Sequence, residues 1–303
     1  MLVLINGLPL FAQQIANDMT AFQKQHRFVF CNTYYSKWGK LKFFLLLPFA
    51  SICISVNGVS DESGTLNWVL RLRKKLIMMW SGTDVLLAQK RANKHTFNRK
   101  YIDYAINTTD SNLLSSELNA LSINHRFLYF KWLPAGALVQ QHYASIKVLS
   151  YVAQNKEDFY GWQTIRTTAI ANPAIEFILV GTDGSTIDCP SNVRCLGWID
   201  KAEMNRLYQS CAIFLRLTAH DGFSLSVLEA VANGAELIWT TPLPGFVLHW
   251  DGMQNFESLF QRALENIKQR NNTSDLNRQS ALVNTYNREH VLGNFIRFIN
   301  ELQ

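Results

Sequence analysis

The sequence predicts an α/β protein built from two doubly wound parallel-sheet halves. Short apolar runs alternate with longer amphipathic segments along the whole chain, the pattern of a parallel sheet wrapped by helices. A length of 303 residues fits two domains of roughly 150 residues each. The charge is split as well: residues 1–140 carry 16 basic and 7 acidic side chains, net +9, whereas residues 141–303 carry 13 and 16, net −3. With 48% apolar and 17% charged residues the chain is neither disordered nor fibrous.

In the first half the apolar runs predict strands at 2–5, 27–31, 51–56, 76–80, 104–107 and 126–130. Helices are expected around 12–24, 67–75, 85–94 and 111–121, the last capped by Asp110 and Ser111. The pattern lapses around 131–141 into a Pro- and Gly-containing connection. The second half resumes with strands at 147–151, 175–180, 193–196, 212–217 and 236–239. Helices follow at 159–171, 201–209, 226–233, 256–270 and 275–303, the last broken near 289–293. The expected domains are 1–137 and 138–285, with a terminal helix of about 286–303 packing back on the first. In such open sheets ligands bind outside the carboxyl ends of the strands.

Five cysteines, odd in number and scattered without a C-x-x-C pair, argue against a disulfide framework or a zinc site and for a reducing cytoplasm. The first residues lack a basic segment ahead of their short apolar run and read as a strand, not a secretory signal. The most apolar stretch, 41–56, is interrupted by Pro48 and falls short of a membrane span.

The chemistry concentrates in 219–239. There a strand end is followed by a tight turn at Asp221-Gly222 and by a helix expected to start at Ser226. A helix N-terminus behind a turn presents unpaired N–H groups and a positive dipole end, which suit a phosphate. Asp221 and Glu229, with seven residues between them, can accept from sugar and ribose hydroxyls. Ser226-x-x-Glu229 reads equally as a capping box, and Asp-Gly as an ordinary turn.

The run Asp221-Gly222-Phe223-Ser224-Leu225-Ser226-Val227-Leu228-Glu229-Ala230 resembles the acidic–seven–Glu motif of retaining, family 4-like GT-B glycosyltransferases, which usually begin it with Glu-Gly-Phe. The similarity extends upstream through Phe177 to Gly181 and Val193 to Ala212, and covers roughly 146–241. It implies two Rossmann-like domains facing a central cleft: a nucleoside-diphosphate sugar on the second, an acceptor on the first, and transfer with retention. By position, Asp221 contacts donor-sugar hydroxyls, Glu229 binds the ribose, and the Ser224 and Leu225 amides meet the diphosphate. Gly222, Phe223 and Gly181 complete the donor-binding set, and His220 lines the donor pocket or lies in a surface loop. Lys156 fits the lysine that neutralises the leaving diphosphate, or is a solvated loop lysine. Tyr151 stands where such enzymes carry an Arg.

On the acceptor side, Ser81-Gly82-Thr83-Asp84 is similar to the family's His-Gly-Thr-Asp stretch, with Ser81 in place of His. Thr83 or Asp84 caps a helix or binds acceptor hydroxyls. Asn6 and Gly7 end the first strand, where the glycine-rich loop of many relatives is reduced to one Gly. No Asp-x-Asp, His-x-x-x-His or Cys cluster points to a metal, and no cofactor is expected beyond the donor sugar nucleotide, a substrate.

Basic residues at 71–75 and 90–100, with apolar 43–49 flanked by Lys37, Lys40 and Lys42, suit an anionic membrane surface or are simply solvated. Nucleic acid is disfavoured, because no reading module accompanies the charge. The expectation is therefore a cytoplasmic or peripheral-membrane glycosyltransferase, in the second case at the inner membrane face, acting on a glycan or lipid-linked acceptor in polysaccharide biosynthesis. A noncatalytic GT-B subunit, motivated by Tyr151, Ser81 and Asp221, is its rival; an epimerase of the same fold is disfavoured by the motif context.

Overall fold

The computed structural model describes residues 1–133, 145–269 and 272–302, of which 272–276 are described by backbone alone. The chain divides into two compact units, Met1–Lys131 with Glu289–Gln303, and Trp132–Arg288. The division expected between residues 137 and 138 lies outside the described residues.

The first unit holds six strands: β1 (Leu2–Gly7), β2 (Arg27–Phe30), β3 (Ile52–Val56), β4 (Lys75–Trp80), β5 (Ile106–Thr109) and β6 (His125–Phe127). They pair in parallel in the order β2-β1-β3-β4-β5-β6. Helices α1 (Pro9–Phe22), α2 (Lys37–Leu46), α3 (Gly64–Arg71), α4 (Thr83–Asn93), α5 (Lys100–Tyr104) and α6 (Asn112–Ala120) connect them. A parallel sheet covered on both faces needs continuous apolar strands, and Ile52–Val56 is buried at every position. Gly7 adopts φ +121, and a Cβ there would meet the Val56 carbonyl oxygen at 2.5 Å; this strand end therefore requires glycine.

The second unit repeats the plan with β7 (Lys147–Tyr151), β8 (Glu176–Val180), β9 (Val193–Cys195), β10 (Ile213–Arg216), β11 (Glu236–Trp239) and β12 (Leu248–His249). Their order is β12-β11-β10-β7-β8-β9, again all parallel. This is the classic doubly wound order, and its direction reverses between β7 and β10. Helices are α7 (Trp162–Ala171), α8 (Lys201–Ser210), α9 (Leu225–Ala232), α10 (Phe256–Gln269) and α11 (Asn272–Tyr286). Phe177 and Phe260 stack at 6.0 Å in a core shared with Trp162, Leu215 and Ile238.

Several expected elements need correction. The stretch 37–46, given no element from sequence, is a helix, because Ser36 accepts from the Gly39 amide and caps it. Tyr104 ends α5 rather than opening a strand, so β5 starts two residues later than expected. Ser224, not Ser226, is the N-cap of α9. The break in the terminal helix falls at Asn287, ahead of 289–293, and the final segment is α12 (Arg288–Glu301). Its Val291, Leu292, Phe295 and Ile299 are buried, and Asn300 Oδ1 lies 2.7 Å from Nε2 of His26. The fold also brings Cys189 and Cys195 to an Sγ–Sγ separation of 3.3 Å as free thiols. Burial pushes the Cys195 thiol up to about 12, so the reactive thiolate is scarce.

Candidate functional site

In the second unit the carboxyl ends of β7 and β10 meet at the reversal of strand order, where open α/β sheets bind ligands. Tyr151 ends β7 and Arg216 ends β10. The Arg216 Nε donates to Asp221 Oδ2 at 2.8 Å, with both side chains only 14–15% exposed. The guanidinium carbon lies 5.8 Å from the Tyr151 ring centre and 5.6 Å from that of Tyr160, within cation–π range. Burial works against the Arg216 cation, but the Asp221 carboxylate, with Tyr160 and Tyr208, offsets it and holds the pKa above its ordinary value. The Thr218 hydroxyl lies 3.5 Å from the same Asp221 oxygen. Asp221 Oδ1 has no partner among the described residues.

Tyr151 is fixed from behind. Gly181, at φ +96 after β8, has no room for a side chain: a Cβ would lie 2.8 Å from the Tyr151 ring and 2.9 Å from the Val152 carbonyl oxygen. The Tyr151 ring also meets Tyr160 edge-on at 5.2 Å and Trp198 at 6.2 Å, and Trp198 is 80% exposed. Trp198, Tyr160 and Arg216 are the residues that sequence reasoning missed. A charged residue closing the buried run Ile213–Arg216 was the available signal for the last.

Gly222, Phe223 and Ser224 form the buried turn into α9. No side chain caps that helix: the Ser224 hydroxyl lies 2.8 Å from the Ser226 hydroxyl instead. The first-turn amides of Leu225 and Ser226, which have no intrahelical acceptor, are thus left to another partner. Glu229 lies just over a turn further on, near the Tyr208 hydroxyl, and burial raises its pKa above the ordinary carboxylate value. His220 is half-buried beside Asp221. Lys156 is exposed in the turn after β7, its ammonium unpartnered among the described residues. A cavity of about 460 Å³ lies between α7 and the ends of β10 and β11, lined by Gly161, Thr218, Thr240 and Trp250; it adjoins the site through Thr218, and none of the residues expected from sequence lines it.

On the first unit the four residues 81–84 form a closed structure. The buried Asp84 carboxylate accepts from the amides of Gly58 (2.6 Å), Ser81 (3.1 Å), Gly82 (2.8 Å) and Val85 (3.1 Å). It therefore binds the loop after β3 to the start of α4, with Gly82 as the N-cap and Thr83 exposed at the first helical position. Burial raises the Asp84 pKa while the four amides pull it down. Asn6 is buried, its Nδ2 3.5 Å from the Thr33 hydroxyl, and lines a cavity of about 540 Å³. Lys40, Phe44, Asn57, Asp61 and Arg91 contribute to the same cavity; Gly7 and 81–84 do not. Among the described residues no group of His, Cys, Asp and Glu is placed to hold a metal ion.

Two Rossmann-like units in one chain, each with an all-parallel six-stranded sheet, define the GT-B fold. No protein-family model matches the sequence, and no curated protein matches it significantly. Solved structures do match. Anabaena HepE, in complex with UDP and glucose, aligns with a TM-score of 0.67 at 11% identity, over 99% of this chain and 100% of that one. Sucrose-phosphate synthase from Thermosynechococcus elongatus aligns with a TM-score of 0.68 at 12% identity, over 100% and 99%. A trehalose-6-phosphate synthase studied for glycosyl transfer with retention aligns at 0.64 and 11%, over 99% and 98%. At such identities the likeness is one of fold.

Proposed function

We propose that the protein is a metal-independent glycosyltransferase that moves a sugar, with retention, from a nucleoside-diphosphate donor to a hydroxyl of a glycan or lipid-linked acceptor. The carrying observation is the uncapped N-terminus of α9 beside the Arg216–Asp221 pair at the strand-order reversal. Breaking the bond between the anomeric carbon and the diphosphate gathers negative charge on the diphosphate. Preformed positive charge there stabilises the transition state. The Leu225 and Ser226 amides, Arg216 and Lys156 supply it, Arg216 making good the charge that Tyr151 lacks. The open Oδ1 of Asp221 accepts from donor-sugar hydroxyls and Glu229 from the ribose. The UDP and glucose in the HepE structure and the retention studied in the trehalose-6-phosphate synthase support this reading.

Thermal melting with UDP, GDP, ADP and CMP tests it. At 100 times its dissociation constant a bound nucleotide adds about 2.7 kcal/mol, a rise of roughly 5–10 °C. Absence of a shift with every nucleotide would overturn the reading. Transfer of radiolabelled sugar from the matching donor then separates an enzyme from a noncatalytic subunit.

A further inference from the structure

Helix α2 is apolar on both sides. Its inner side buries Phe43, and Leu47 just beyond it is buried too. Its outer side sets Trp38, Leu41 and Leu45 at i, i+3 and i+7 on one face, and all three are exposed, Trp38 at 80% and Leu45 at 64%. An apolar outer face is the reverse of what a solvated surface helix shows. Phe49, in the turn after α2, is 76% exposed and extends the patch. Phe44 extends it in the other direction, meeting the half-exposed Trp68 of α3 at 6.2 Å, and Arg71 stacks 4.9 Å above that indole.

The charge around this patch has one sign. Between Asp18 and Asp61 the sequence contains no acidic residue and five basic ones, and between Glu62 and Asp84 again none, against four basic. Lys42 and Lys74 are tied to the patch by hydrogen bonds to the Phe30 and Pro48 carbonyls, at 3.1 and 2.7 Å. Indole and phenylalanine rings ringed by lysine and arginine match the chemistry of a bilayer's headgroup layer, where amphipathic rings sit at the interface and cations meet anionic lipid.

We propose that the outer face of α2, the turn after it and the exposed edge of α3 form a docking surface for an anionic lipid bilayer. Trp38, Leu45 and Phe49 enter the headgroup layer, and the surrounding lysines and arginines meet the lipid phosphates. Lys40 and Phe44 of the same helix form part of the wall of the 540 Å³ cavity. Docking therefore sets that cavity beside the lipid surface, within reach of a polar group carried on a lipid. The surface stands independently of the nucleotide reading.

Co-sedimentation of the full chain with phosphatidylcholine vesicles, with and without roughly a third of phosphatidylglycerol, tests the proposal. The protein is expected to partition onto the anionic vesicles. Binding should fall with salt as the screening length shrinks from about 10 Å at 0.1 M to about 3 Å at 1 M. Trp38→Ser with Leu45→Ser, and separately Lys37→Glu with Arg71→Glu, should each lower partitioning about tenfold or more with an unchanged melting temperature. Absence of binding by the folded protein, or binding at the native level by either double variant, overturns the proposal. A dimer in solution that Trp38→Ser with Leu45→Ser dissociates also overturns it, by showing that a second copy covers the face.

Discussion

Arg216 and Asp221 face each other across the turn that follows β10, Nε to Oδ2 at 2.8 Å, and the guanidinium lies against Tyr151, the residue that stands where a second cation was expected. The positive charge thus comes from the neighbouring strand. Replacing Arg216 by Gln is expected to abolish the nucleotide-induced rise in melting temperature and to lower transfer about 10²–10³-fold. Arg216→Lys should recover part of both, since a point charge cannot bond Asp221 and a phosphate through one planar fork. Steady-state kinetics of the two variants check this; equal activity in Arg216→Gln would remove the residue from the mechanism.

With Glu229 in the proposed ribose-binding role, donor affinity is expected to depend on pH. Burial raises its pKa above the ordinary value, so protonation begins at a higher pH than for a solvated glutamate. A protonated carboxyl loses an acceptor for ribose hydroxyls, and affinity should weaken as pH falls through that raised value. Titration calorimetry at pH 7.5 and pH 5 would show the fall in the native protein, and Glu229→Gln should be weak at both.

Asp110 and Lys131 form a buried pair at 3.1 Å, with side chains 0% and 7% exposed. Burial outweighs the lysine and raises the Asp110 pKa to about 6. The folded state thus holds this proton more tightly than the unfolded chain does. The stabilisation is complete below the ordinary aspartate value near 4 and is lost as pH rises through about 6. Melting temperatures across that window should decline more in the native protein than in Asp110→Asn. At neutral pH, Asp110→Ala should lose roughly 3–5 kcal/mol, because it strands a buried ammonium.

Asp84→Ala would leave four amides without their acceptor. A loss of about 3 kcal/mol or more is expected, with Asp84→Asn losing less because one oxygen remains. The melting temperature should register it, while nucleotide affinity, proposed to be set in the second unit, should not move.

Much of this architecture is written in local pattern. The alternation of apolar runs and helices located every strand except β12, whose two residues are too few for a period. The turn at Asp221-Gly222 and the placing of Glu229 on a helix were legible too, because a motif and a turn signal coincide there. Helix α2 was not, since residues apolar on both faces leave no periodic contrast to read. Arg216 was hidden for a different reason: its partners Tyr151 and Tyr160 lie 65 and 56 residues away in sequence, and only the parallel pairing of β7 with β10 brings them together. Likewise Asp84 reads as a helix-start residue, but its bond to Gly58 depends on β3 and β4 lying side by side.

The placing of α12 bears on how the chain is made. Its buried face belongs to the first unit, yet the whole of the second unit precedes it in the sequence. A ribosome therefore delivers the six strands of the first unit early and the helix that closes them late. Until then the surface awaiting Leu292, Phe295 and Ile299 stays uncovered, and the second unit has all its residues first. Of the two units, the one whose strands are made earlier is completed later, and a chain stopped short of residue 288 would carry its defect in that unit.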